Sequence, residues 1–362
     1  MNNENTDNHN SKNITESYRK IIFPVRLGIE PMERLLIADF KDDPEYISLE
    51  PQMFDDQING KGLRVLRYRR DKRVDVYWQP GVYVDEATFN IGAGLGDFQQ
   101  TDFKKAVFEI DDRGVHVHVV FRDLSGRTVE LLIRENTSEN SRLPFLAPVG
   151  NEIEKPKQFF LAYMQGFDFI RKKGTLISAK IGDRVLKPAG FPLLRNFRRV
   201  MFIRYSANPI VGTLNPPMDK SFAAEIPVPG VIEAGGMKIS VDENGGVTAV
   251  TSEHRENCVE IEFKPPFPEL SCMKNQSSDE GEWIFRISET VITGGKYLLF
   301  RDKNIVRINI DVTQHWKPVG LPLSLRLFTS ILKFFRTWPS TYRWRGTVDL
   351  DNLQMTGKWE RK

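Results

Sequence analysis

The chain of 362 residues predicts an all-β protein: two tandem antiparallel β-barrels or strongly curved sandwiches, with one amphipathic helix late in the second. Three observations carry that prediction. The first is a hydrophobic period of two, clearest in residues 304–312, where Val306, Ile308, Ile310 and Val312 alternate with Arg307, Asn309 and Asp311. Successive strand side chains point to opposite faces, so such a segment lies half in a core and half in water. The second is the turn chemistry between such segments: Asp112-Arg113-Gly114, Leu124-Ser125-Gly126, Gly182-Asp183 and Asn244-Gly245-Gly246. Short strands at this spacing belong to sandwiches and barrels. The third is length, which exceeds one ordinary core and predicts two domains.

Residues 1–17, rich in Asn and without an apolar stretch, read as a disordered tail and not as a secretory signal. The first β domain spans 18–214, with strands at 63–68, 73–78, 105–110, 115–121, 127–134, 176–181 and 199–205. Within it, 136–157 carries Pro144, Pro148 and Pro156 and reads as a long loop. The stretch 215–236, with Asn-Pro-Pro at 215–217, Ile226-Pro227-Val228-Pro229-Gly230 and Gly235-Gly236, reads as a Pro/Gly-rich linker, because proline cannot donate to a ladder. The second β domain, 237–362, holds the predicted helix at 325–338. Leu325, Phe328, Ile331, Leu332 and Phe335, widened by Leu327 and Phe334, make its apolar face, and Arg326, Thr329, Ser330, Lys333, Arg336 and Thr337 its polar one. Pro322 and Ser324 suit its start and Pro339 its end. Strands at 342–350 and 354–359 follow.

A late helix and a closing strand, with Gly281-Glu282-Trp283 and Gly357-Lys358-Trp359 matching a G-x-W signature, resemble the two-domain lipocalin-like (calycin) superfamily, which includes carotenoid hydratases. That resemblance implies barrels with a Trp plugging the end under a basic side chain, and an apolar cavity for a hydrophobic small molecule. It transfers no catalytic residue.

Lys+Arg at 51 against Asp+Glu at 48 leaves a net charge of +3, too balanced for a nucleic-acid-binding face. The basic run from Arg64 to Arg73 is interrupted by Asp71 and Asp75 and reads as the wet face of a strand. Cys258 and Cys272 could form one bridge but make no disulfide framework or C-x-x-C motif. Without a leader or a membrane-length apolar run, the expected compartment is the cytoplasm.

Candidate chemistry is sparse. His116 and His118 share one strand face, a geometry that could supply two metal ligands (with Glu109, Asp123 or His254 as a third) or a general acid and base. The plainer alternative is a polar outer face opposite Val115, Val117 and Val119, and no metal is assigned. Arg204 and Tyr205 at the expected end of a strand could hold a polar ligand group, or Arg204 could pair with a loop carboxylate. Trp316 and Trp338 could line a barrel mouth or serve as structural plugs. Gly92-Ala93-Gly94-Leu95-Gly96-Asp97 lacks the helix a dinucleotide fingerprint needs, so no nucleotide cofactor is expected. No G-x-S-x-G elbow exists, and Glu260 and Glu262 alternate with Val259, Ile261 and Phe263 as a wet strand face.

These features point to binding of an apolar small molecule, a lipid or isoprenoid, with acid/base isomerisation, hydration or cyclisation by His116 and His118 if the protein is an enzyme. A carbohydrate-binding or carbohydrate-modifying sandwich stacking sugars on exposed Trp78, Trp316 and Trp344 is the alternative. A third is membrane-surface scaffolding through the basic helix bearing Arg326, Lys333 and Arg336.

Overall fold

In the computed structural model, the residues described are 17–86, 93–137, 142–149, 153, 155–190, 199–218, 220–332, 335 and 337–362. The expected tail up to residue 16, Gly92 of the glycine-rich run, and Lys333, Phe334 and Arg336 of the expected helix lie outside them. Among the described residues the structure is all-β, with four sheets and one α-helix, Leu323–Ile331. Period two is obeyed where it is clearest: Val306, Ile308, Ile310 and Val312 are buried, and Arg307 is exposed.

The first half is built on a ten-stranded sheet. Its main path runs Leu143–Ala147, Phe159–Arg171, Val200–Leu214, Arg34–Lys41, Tyr46–Asp56, Gly60–Arg69, Val74–Trp78 and Leu95–Gln100. Leu27–Pro31 pairs alongside Val200–Leu214, and Lys187–Pro188 alongside Arg34–Lys41. The last ladder, Val74–Trp78 on Leu95–Gln100, is parallel. A five-stranded sheet, in the order Arg184–Val185, Leu176–Ile181, Thr128–Arg134, Gly114–Arg122 and Phe103–Asp111, covers one face. The core between these sheets includes Leu36, Leu49, Val65, Val117, Leu131 and Ile203.

The second half is a nine-stranded antiparallel meander from Gly230–Ala234 to Met355–Arg361, each strand pairing with its neighbours in sequence. Among the described residues none of the sheets closes into a barrel. One face of the meander shares a continuous core with the first half, joining Phe23, Phe159 and Leu214 to Phe263, Trp283, Ile310 and Trp359. The glycines of the two G-x-W triplets make room for aromatic rings. A Cβ on Gly281 would lie 2.5 Å from the Tyr297 hydroxyl, and one on Gly357 would lie 2.3 Å from the Trp344 ring. Residues two apart share a strand face, so Trp283 and Trp359 pack beside those rings, both buried.

Four expectations need correction. The stretch 215–236 is not strandless. Phe222–Val228 forms a two-stranded antiparallel sheet with Ser17–Phe23, and Gly230–Ala234 opens the nine-stranded sheet. Proline is tolerated there because a strand with one partner has a side with no ladder to lose. Within 136–157, Leu143–Ala147 is an edge strand despite Pro144. The strand expected to end at Tyr205 runs on to Leu214. Pro209 falls between the ladders Ser206↔Leu35 and Ile210↔Pro31, where the strand passes from one neighbour to the next. The helix spans Leu323–Ile331, and extended backbone at Leu332 stops it. Leu325 and Phe328 face the core as expected, but Leu327 and Ile331 are 51% and 60% exposed, and Thr329, expected on the polar face, is buried.

Candidate functional site

The hairpin Tyr46–Asp56/Gly60–Arg69 places opposite kinds of side chain on its two faces. Leu49, Leu63 and Val65 point toward the five-stranded sheet. Alternation sends Glu50, Gln52, Arg64 and Tyr68 to the other face, where they line a concave pocket of about 540 Å³. The rest of the wall is largely apolar: Ile29 and Leu35 from the N-terminal strands, Phe160, Ala162 and Val211 from the long central pair, and Val84 beyond Trp78. Glu30, Asn59, Asp85, Gln158 and Thr213 add polar atoms around it.

The polar wall is a connected chain. Gln52 lies directly across the ladder from Arg64, whose Nε donates to Gln52 Oε1 at 2.6 Å. Gln52 Nε2 donates to Glu50 Oε1 at 2.7 Å, so its amide orientation is fixed by a cation on one side and a carboxyl on the other. Tyr68 also hydrogen-bonds Glu50. The Arg64 guanidinium stacks over the Phe54 ring at 4.7 Å. Glu50 and Arg64 are 6% and 5% exposed. Burial pushes the Glu50 carboxyl above its ordinary value, against the bonds from Gln52 and Tyr68 and the charges of Arg204 and Arg64. Burial and the neighbouring carboxyl raise the Tyr68 phenol, and burial lowers Arg64. The site thus offers a desolvated carboxyl with a raised pKa, a phenol and a cation at one end of an apolar cavity. Such a set can orient one polar end of a mostly apolar molecule and give or take a proton.

The residues singled out from sequence sit elsewhere. His116 and His118 lie on the outer face of the five-stranded sheet, with side chains 37% and 25% exposed, 3.8 Å from Glu109 and 3.7 Å from Glu130 respectively. Neither lines the pocket, and no group of three metal-binding side chains occurs among the described residues. Arg204 is paired with Asp39 at 2.5 Å and stacked on Phe202. Burial raises the Asp39 carboxyl while Arg204 opposes the shift. Arg204 nonetheless acts electrostatically on Glu50 and Tyr68 from the neighbouring strands. Tyr205, one residue on, points to the opposite face and is buried against the five-stranded sheet.

Trp316 and Trp338 are buried in the shared core. Trp316 lies edge-on to Phe145 and Trp338 packs near Phe159 and Tyr342. Trp78, Trp316 and Trp344, expected as an exposed sugar platform, are 9%, 5% and 2% exposed. The basic run read as a wet strand face is buried at Arg64 and Arg67. The reason is that Arg67 lies on the face covered by the five-stranded sheet and Arg64 faces the pocket walled by Phe160, Ala162 and Val211, so polar residues on either face are shielded from water. That covering also hid Glu50, Gln52 and Tyr68. The one local hint was a hairpin with charges on a face whose other members, Leu66 and Phe54, are apolar.

Fold and pocket define an all-β protein with a mainly apolar cleft carrying a buried carboxyl, a half-buried phenol and a buried guanidinium. Comparison of the chain with models of known protein families, with curated proteins and with solved structures finds no match. No helix among the described residues is long and apolar enough to cross a membrane.

Proposed function

We propose that the protein binds an apolar small molecule of the lipid or isoprenoid class in the pocket beside Glu50, and that Glu50 with Tyr68 performs acid/base chemistry on it, an isomerisation, hydration or cyclisation. The observation that carries this reading is the pocket itself: apolar walls closing on one desolvated polar chain, Arg64–Gln52–Glu50–Tyr68. A carboxyl whose pKa is raised by burial is better suited to proton donation than an ordinary one. The role assigned from sequence to His116 and His118 therefore passes to Glu50 and Tyr68, while Arg204 keeps an electrostatic part from behind Asp39. A distant kinship with two-domain lipocalin-like proteins belongs to the same proposal, supported by the antiparallel meander followed late by a packed helix.

The test is native mass spectrometry of freshly purified protein with organic extraction of what it releases, followed by titration with a fluorescent long-chain fatty acid. Binding is expected to fall at least about tenfold in Val211→Trp, which fills the pocket, with the melting transition retained. Binding unchanged in that folded variant would refute the pocket as the site.

A further inference from the structure

Fourteen large apolar side chains are exposed among the described residues, and ten are scattered over the chain. The other four fall together: Val319, Leu323, Leu327 and Ile331, at 70%, 81%, 51% and 60% exposure. Three sit at i, i+4 and i+8 of the helix Leu323–Ile331, an arc of about 80° at 100° per residue. The opposite side of the helix is anchored, since Leu325, Phe328 and Thr329 are buried. The helix therefore lies along the surface with an apolar stripe turned outward.

The charge along this part of the sequence is one-sided. Between Asp311 and Asp349 there is no acidic residue, and there are Lys317, Arg326, Lys333, Arg336, Arg343 and Arg345, of which Arg343 is paired with Asp311 and Arg345 with Glu360. Lys317 and Arg326 are exposed beside the stripe. We propose that Val319, Leu323, Leu327 and Ile331 form a docking surface for an anionic phospholipid bilayer, with Lys317 and Arg326 supplying the electrostatic attraction. An amphipathic helix lying in the interface buries such a stripe among acyl chains while its cations meet lipid phosphates. The same charge weighs against a second copy of the chain as the occupant, because a self-complementary contact would bring these cations together.

The experiment is cosedimentation of the full chain with vesicles of phosphatidylcholine alone and of phosphatidylcholine with about 30% phosphatidylglycerol. The wild-type protein is expected to pellet with the anionic vesicles and not the neutral ones, and to be released by salt. Leu327→Glu with Ile331→Glu, at exposed positions that leave the core intact, is expected to weaken vesicle binding at least about tenfold without changing the melting transition. Three results would overturn the proposal: no pelleting with anionic vesicles, pelleting indifferent to lipid charge, or pelleting unaffected by the double variant. Light scattering on the same samples identifies the rival occupant. A dimer dissolved by the double variant, with no vesicle binding, would assign the stripe to a second copy.

Discussion

Replacing Arg67 by Met tests whether the buried charge on the far face of the pocket hairpin is structural. Arg67 comes from the same strand as Arg64 but points the other way, and its side chain is fully buried. It reaches Asp75 at 2.9 Å and Asp123 at 3.0 Å, both equally buried, and is held between the Tyr46 and Tyr77 rings at 4.7 Å each. Removing one partner of a buried ion pair costs about 3–5 kcal/mol, because the remaining charge is stranded. Here the carboxylates retain other partners. Arg127 still reaches Asp123 at 2.9 Å, and the Asp97 N–H and Tyr46 hydroxyl still donate to Asp75 at 2.9 Å. The expected loss is therefore at the lower end, about 3 kcal/mol. Urea denaturation measures it from the midpoint and slope. Arg67→Met with Asp75→Asn and Asp123→Asn should recover most of the loss, since no charge then remains stranded. A single-variant loss under about 1 kcal/mol, or a triple variant no better than the single, would refute the reasoning. Fatty-acid binding in the folded single variant should be unchanged, because Arg67 does not line the pocket.

Glu50→Gln should behave in the opposite sense. A carboxyl whose folded pKa is raised above its unfolded value of 4.5 contributes stability below that value and loses it as pH rises through the folded pKa. Glutamine does not titrate, so the variant should gain on the wild type as pH rises above about 4.5 in paired urea melts; a stability difference independent of pH would sink the idea. Gly357→Ala would put a methyl 2.3 Å from the buried Trp344 ring and should cost about 1–3 kcal/mol with an altered near-ultraviolet tryptophan signal. Gly190→Ala, with nothing within 4 Å of its added Cβ, should change stability by less than about 0.5 kcal/mol, and equal losses in the two variants would show that packing against Trp344 is not the cause.

The strands were legible wherever one face met water. Leu176–Ile181 matches its sequence reading residue for residue, and Val115 to Phe121 lies within Gly114–Arg122. What could not be read was pairing between distant segments. Phe222–Val228 is a strand because Ser17–Phe23 supplies a ladder some 200 residues away, and local proline content carries no trace of that partner. Nor does alternation reveal whether the second face of a sheet is covered. His116 and Glu50 both occupy polar alternate positions, yet His116 faces outward and Glu50 faces a pocket. The difference is made by Phe160, Ala162, Val211 and Val84, which arrive from other strands and loops to roof the Glu50 face. The G-x-W triplets were visible, but not the rings that need their glycines, since Tyr297 and Trp344 belong to neighbouring strands.

The two faces of Gly60–Arg69 bear on why the pocket chain exists at all. On one face Arg67 joins Asp75 and Asp123 across the two sheets, so its charge links elements that the fold must hold together. On the other, Arg64, Gln52, Glu50 and Tyr68 all belong to a single hairpin already joined by its backbone ladder. The bonds Arg64–Gln52–Glu50–Tyr68 run within that hairpin and add little to what the ladder does, while burying Glu50 and Arg64 carries the desolvation cost of both. Apolar residues at these positions would pack against Leu35, Phe160 and Val211 without that cost. A costly polar chain facing an open cavity supports the proposal that a ligand enters there. That asymmetry yields opposite outcomes within one strand: loss of stability when Arg67 is removed, and gain at neutral pH when Glu50 is made neutral for good.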